Sequence, residues 1–178
     1  MADVDSLYQM ASEYLAAVTD ALLTTDAGLP DLEGVAVVPF VSPSLPSLDC
    51  PAQVTVHVQT IGMENTSPST PLTDLGHRAA TRFMVIATFV ATVVRCQPTP
   101  AGIDAILPPS ADIEAAARRS LQDVWAIWNM LSTRARNGAI FSTPCAPLYI
   151  DTPVPVTPQG ASAGWAFQIR AQIDGYTV

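Results

Sequence analysis

From Phe83 to Val94 the chain carries no charged residue, and Arg82 and Arg95 bracket the run. Val, Ile, Phe and Thr dominate it, residue types that suit a pleated surface. It is too short for a membrane-spanning helix, which needs about 20 apolar residues. At period two, Phe83, Val85, Ala87, Phe89, Ala91 and Val93 share one face, and Met84, Ile86, Val90 and Val94 the other. A strand that is apolar on both faces belongs at the centre of a sheet or at a subunit contact. Thr81 to Cys96 therefore predicts a long buried strand around which other elements are arranged.

Periodicity supplies those elements. Leu7, Met10, Ala11, Tyr14, Leu15, Val18 and Leu22 recur at helical spacing and predict one amphipathic helix, with Asp3 and Asp5 before it and Gly28 and Pro30 to stop it. Val35 to Val41, broken by Pro39, reads as an edge strand or irregular arm. Gln53 to Gln59 alternates, which predicts Val54, Val56 and Val58 inside and Thr55, His57 and Gln59 outside. A second helix follows Ser110, which is placed to cap it. Its predicted core stripe is Ile113, Ala117, Leu121, Val124, Trp128 and Leu131, with Arg134 and Arg136 in the last turn and Gly138 closing it. The last strand, Trp165 to Asp174, turns Trp165, Phe167, Ile169, Ala171 and Ile173 inward. Proline-rich and polar stretches predict long loops at 62–78 and 143–164, the latter with room for a short strand at Leu148 to Ile150. The expectation is one α+β domain over 1–178: a two-layer antiparallel sheet of about four strands with two amphipathic helices.

Composition narrows the function. Charged residues make up 13% of the chain and hydrophobic ones 49%. That balance suits a subunit whose surface is covered by neighbours. The net charge is −8, and every basic side chain apart from the two histidines is an arginine. With no basic run there is no footprint for tight nucleic-acid binding. The absence of lysine rules out a phosphate loop of the G-x-x-x-x-G-K type. There is no G-x-S-x-G, and neither Cys50 with His57 nor His77 with Cys96 has the close spacing of a zinc site. Trp125 and Trp128 read as core and interface aromatics. The acidic start, Met-Ala-Asp-Val-Asp, lacks the basic region of a signal peptide, so a soluble chain made in a cytosol is expected. Cys50, Cys96 and Cys145, odd in number and far apart, read as buried free thiols. No catalytic residue, cofactor or metal is expected.

The run Asp49-Cys50-Pro51-Ala52-Gln53-Val54-Thr55-Val56-His57-Val58 resembles the D-C-x-x-Q-[LV]-x-V-x-V stretch of neck proteins from long-tailed phages of actinobacteria. Val93-Val94-Arg95-Cys96-Gln97-Pro98 resembles the V-R-C-x-P that ends their long strand, and the helix from Ser110-Ala111 through Asp123 looks like their second helix. The likeness runs from about Asp49 to Leu131. It implies a virion structural protein of the tail or neck, assembled in the host cytoplasm: a ring-forming tail terminator, in all six copies, that caps the tail tube and joins it to the head connector. Its implied partners are copies of itself, the tail tube protein and the head-to-tail connector or stopper protein, with DNA only passing through the lumen and no membrane. Candidate interface residues are Met63, Glu64, Asn65 and His77 in the long loop, with Arg78, Arg82, Arg118, Arg119 and Arg170 for ion pairs between subunits. The alternatives are a stopper or adaptor of the connector, a small α+β enzyme or ligand-binding domain, and a metal-binding accessory protein.

Overall fold

The computed structural model describes residues 4–23, 38–41, 53–65, 83–100, 107–142, 145–159 and 162–176. In chain order the elements are α1 (Val4–Leu23), β1 (Val38–Val41), β2 (Gln53–Asn65), β3 (Phe83–Cys96), α2 (Ser110–Arg136), β4 (Cys145–Ile150), β5 (Val154–Gln159) and β6 (Ser162–Tyr176). The fold is α+β, with two helices and a mainly antiparallel sheet among the described residues. Among the described residues the sheet has six strands in the order β1-β2-β3-β6-β4, and β5 also pairs with β6. The short β1 runs parallel to β2, and every other pairing is antiparallel.

The doubly apolar strand sits where its composition demands. β3 is flanked by β2 on one side and β6 on the other, paired with β6 from Phe83↔Tyr176 to Cys96↔Ser162. Cross-strand register lines up one continuous face: Val54, Val93 and Trp165; then Val56, Ala91 and Phe167; then Val58, Phe89 and Ile169. Residues of both helices join this face. Met10, Tyr14, Val18 and Leu22 of α1 and Ile127 and Leu131 of α2 join it in one core cluster. The Tyr14 hydroxyl crosses that core to donate to the Phe167 carbonyl at 3.0 Å, so its polar tip is satisfied inside an apolar layer. The α1 stripe and the inward residues of β6 lie where periodicity predicts them.

Four expectations need correction. The sheet exceeds four strands because the stretch 143–164 contains β4 and β5, both paired with β6. The short strand expected at Leu148 to Ile150 is the end of β4, whereas Pro155 and Pro158 hide β5 from a strand reading, yet proline is tolerated on an edge strand, where one side of the backbone needs no partner. β2 is also longer than its alternating segment: it continues through a bulge between Val58 and Thr60 to Asn65. Next, His57 and Thr55 are buried, not solvent-facing. Their cross-strand partners Val90 and Thr92 are buried as well, so this part of the sheet is covered on both faces. Finally, Ser110 does not cap α2. Pro109 holds the N-cap position without a side-chain hydrogen bond, and its carbonyl accepts from the Asp112 and Ile113 amides.

The far end of α2 matches its sequence signal. Gly138 has φ +63, its amide donates to the Ala135 carbonyl, and the Ala139 amide donates to that of Arg134. This is a Schellman closure, which requires a left-handed residue.

Gly164 is required for a different reason. It lies in β6 between Val94 and Val156, and a Cβ there would fall 1.9 Å from the Val93 carbonyl oxygen. Gly164→Ala must therefore push β6 away from β3. The expected loss is about 2–3 kcal/mol of unfolding free energy in urea titrations, against a fraction of that for alanine at the exposed Gly62.

Candidate assembly surface and the ion pair beneath it

Of the core stripe predicted for α2, Leu131 is buried and Val124 packs against the core, but the first half is turned outward. Asp123, Ala126, Ile127 and Leu131 are the buried residues of the helix. Ile113, Leu121 and Trp125 are exposed, at 49%, 63% and 71%. The cause is a polar contact that hydrophobic periodicity does not register. Arg95, at the end of β3, is buried, and its guanidinium meets the buried Asp123 carboxylate in a two-pronged ion pair: Nε donates to Oδ2, and a terminal nitrogen donates to Oδ1 at 2.8 Å. A buried guanidinium without a carboxylate is costly, so α2 must roll Asp123 inward. The Trp165 indole N–H adds a second constraint, donating to Ser120 Oγ at 2.7 Å. With Ser120 and Asp123 inward, Ile113, Ala117, Leu121 and Trp125, each four residues from the next, form an apolar stripe on the outer surface. Leu107, just before the helix, is also exposed.

The other end of α2 is tied to α1. Arg134 reaches Asp20 at 2.7 Å. Beyond the helix, the Ser142 amide and hydroxyl both donate to the Glu13 carboxylate, and Gln9 donates to the same carboxylate at 3.0 Å. Desolvation raises the pKa of Glu13, but the hydrogen bonds from Ser142 and Gln9 outweigh it and hold the carboxyl below its ordinary value.

Six of the nine candidate interface residues are described. Met63, Glu64 and Asn65 lie in β2, opposite Val85, Met84 and Phe83, and not in a loop. His77, Arg78 and Arg82 are outside the described residues. Arg118 is exposed and lies 3.7 Å from Glu114, one turn back on α2. Arg119 is half-buried on the same helix. Arg170 bonds Asp151 within the chain at 2.9 Å and stands 5.6 Å from the centre of the Tyr149 ring. The described candidates therefore fall on three elements, β2, α2 and β6. The surface feature that the structure does expose, the Ile113–Trp125 stripe, consists largely of residues whose spacing suggested a core.

Cys96 also departs from expectation: it is exposed and disulfide-bonded, not a buried free thiol. Among the described residues, no group of three or more His, Cys, Asp or Glu side chains could hold a metal ion, and no helix is long and apolar enough to cross a membrane. No protein-family model and no curated protein matches the chain.

Asp123→Ala leaves a buried, unpaired guanidinium. Chemical denaturation should show a loss of about 3–5 kcal/mol. The double variant Arg95→Met with Asp123→Leu should recover most of it, and failure to do so would show that the pair is not what holds α2. A pH effect is expected from His57. Burial lowers its pKa, and its Nδ1 has no hydrogen-bond partner among the described residues. Below the ordinary histidine pKa of about 6.5 the unfolded chain takes up this proton before the folded one does, so stability falls as pH drops through that window. His57→Gln should flatten the melting temperature between pH 7 and 5.5. The Glu13 contribution is lost only at lower pH, as its carboxylate protonates.

Proposed function

We propose that this chain is a ring-forming structural subunit of a tailed virus particle, acting as the tail terminator between tail tube and head connector, with no catalytic role. The observation that carries the proposal is the apolar stripe on α2, with Leu121 and Trp125 at 63% and 71% exposure on a chain with few charged residues. Large apolar side chains contiguous on one helix face characterise surfaces that become covered, and aromatic residues anchor such contacts. The neck-protein resemblance supplies the kind of assembly.

The sheet edges support contact through the helix. β1 is four residues long and contains Pro39, while β4 and β5 carry prolines. Short, proline-bearing edges discourage strand addition by another chain. Two full helices of 20 and 27 residues also favour a terminator over a mostly β stopper.

In this reading, copies associate around a lumen through the α2 stripe, stop growth of the tail tube and present the opposite side to the connector. The net charge of −8 lets DNA pass with little adhesion.

Leu121→Asp with Trp125→Glu tests the proposal. Both side chains are exposed, so the melting temperature of the isolated subunit should change little, whereas ring formation should be abolished by native mass spectrometry and the tube-end caps lost in negative-stain images with tail tubes. A wild-type chain that stays monomeric with tubes present, or a double variant that still forms rings, would overturn it.

A further inference from the structure

We infer that the apolar stripe of α2 on one copy seats on the outer sheet face of the next copy, over Tyr149 and Val154. The inference rests on the reading of the chain as a ring subunit. A closed ring of more than two copies is built from a heterologous contact, in which one patch meets a different patch on the neighbour. The stripe therefore needs a receiving surface elsewhere on the chain.

Among the described residues, the large exposed apolar side chains outside α2 and the residues leading into it are Tyr8, Leu23, Ile61, Tyr149 and Val154. Tyr8 and Leu23 lie towards opposite ends of α1, and Ile61 is on β2. Tyr149 and Val154 share one face. Tyr149 is paired with Arg170 and Val154 with Ala166, and directly opposed residues project to the same side of a sheet. Arg170 and Ala166 are an even number of residues apart on β6, so that side is common to both pairs. It is turned away from the helices, because Leu148 and Ile150, which flank Tyr149, pack against the core. Tyr149 and Val154 are 51% and 59% exposed there.

Spacing and charge both match the stripe. Tyr149 and Val154 stand about 13 Å apart along β6, at about 3.3 Å per residue. Ile113 and Leu121 stand about 12 Å apart along α2, at about 1.5 Å per residue. Arg170 lies level with Tyr149 and bonds Asp151 at 2.9 Å, and the Asp151 amide donates to the Gln168 carbonyl, midway towards Val154. Glu114 and Arg118, exposed and 3.7 Å apart, border the stripe in the same order. With Ile113 over Tyr149 and Leu121 over Val154, Glu114 approaches Arg170 and Arg118 approaches Asp151. The reverse direction brings Arg118 towards Arg170. Trp125, one turn past Leu121, then reaches Val156, which is paired with Gly164 further along the same face. The apolar side chains supply the buried centre of such a contact, and the charges fix its direction. The contact uses the face of β4 and β5, not their backbone edge, so the prolines do not obstruct it.

The test uses two variants of the full chain, read by native mass spectrometry, with ring formation by the wild type as the control. The stripe variant is Leu121→Asp with Trp125→Glu, and the patch variant is Tyr149→Glu with Val154→Glu. All four side chains are exposed, so each isolated subunit should keep its melting temperature within a few degrees. Neither variant should form rings alone. Mixed in equal amounts, they should give a one-to-one heterodimer that grows no further, because the mixture offers one intact stripe to one intact patch. A photoreactive phenylalanine analogue in place of Trp125, in the otherwise unaltered chain, should cross-link to the peptide spanning Tyr149 to Val156 of a neighbouring copy. Rings formed by the patch variant, a mixture that stays monomeric, or cross-links confined to the neighbour's α2 would overturn this contact and leave the ring reading standing. A wild type that forms no ring would overturn both.

Discussion

The contact between Arg95 and Asp123 sets the roll of α2, and through it the character of the molecular surface. Arg95 follows directly on the apolar run of β3, in the same register as the core-facing Val93 and Ala91, so its guanidinium enters the layer between sheet and helix. A charge in that position needs a matching, hydrogen-bonded partner, and a two-pronged carboxylate meets the requirement with little freedom in the position of the helix. Ser120, which accepts from the Trp165 indole, fixes the same roll independently. Residues that an apolar pattern would place in the core are thereby turned outward.

The sheet contributes a complementary restriction. β3 is held on both sides along its length, and β6 carries two short strands end to end along its outer side. With proline in the edge strands and a four-residue β1 at the opposite margin, the exposed backbone offers little to a further strand. An assembly contact then falls more naturally on the helix, where Trp125 and Leu121 provide apolar area and Glu114 and Arg118 a polar border. Fold and candidate surface thus follow from one arrangement, with the polar pair inside and the apolar stripe outside.

The readings that held depend on patterns within one segment. The stripe Met10, Tyr14, Val18 and Leu22, the alternation from Val85 to Val93, the inward face Trp165 to Ile173 and the left-handed Gly138 each follow from helix or strand geometry alone. The readings that failed depend on partners elsewhere in the chain. His57 and Thr55 look solvent-facing by alternation, but the sheet is covered on both sides where they lie. Beyond the short strand expected at Leu148 to Ile150, β4 and β5 look like loop because of their prolines, yet β6 supplies the partner that makes them strands. The Arg95–Asp123 pair had one local signal, an arginine continuing the core-facing register of a buried strand, but nothing within β3 says which carboxylate answers it.

The sequence by itself determined the α+β class, the central position of the doubly apolar strand and the existence of two amphipathic helices, because hydrophobic periodicity reports how a segment buries its own surface. Tertiary structure alone decided which side of α2 is buried and which short strands line the outer side of β6. Those outcomes are set by pairing between segments far apart in the chain, where a buried charge or an unpaired backbone edge can outweigh what local hydrophobicity prefers.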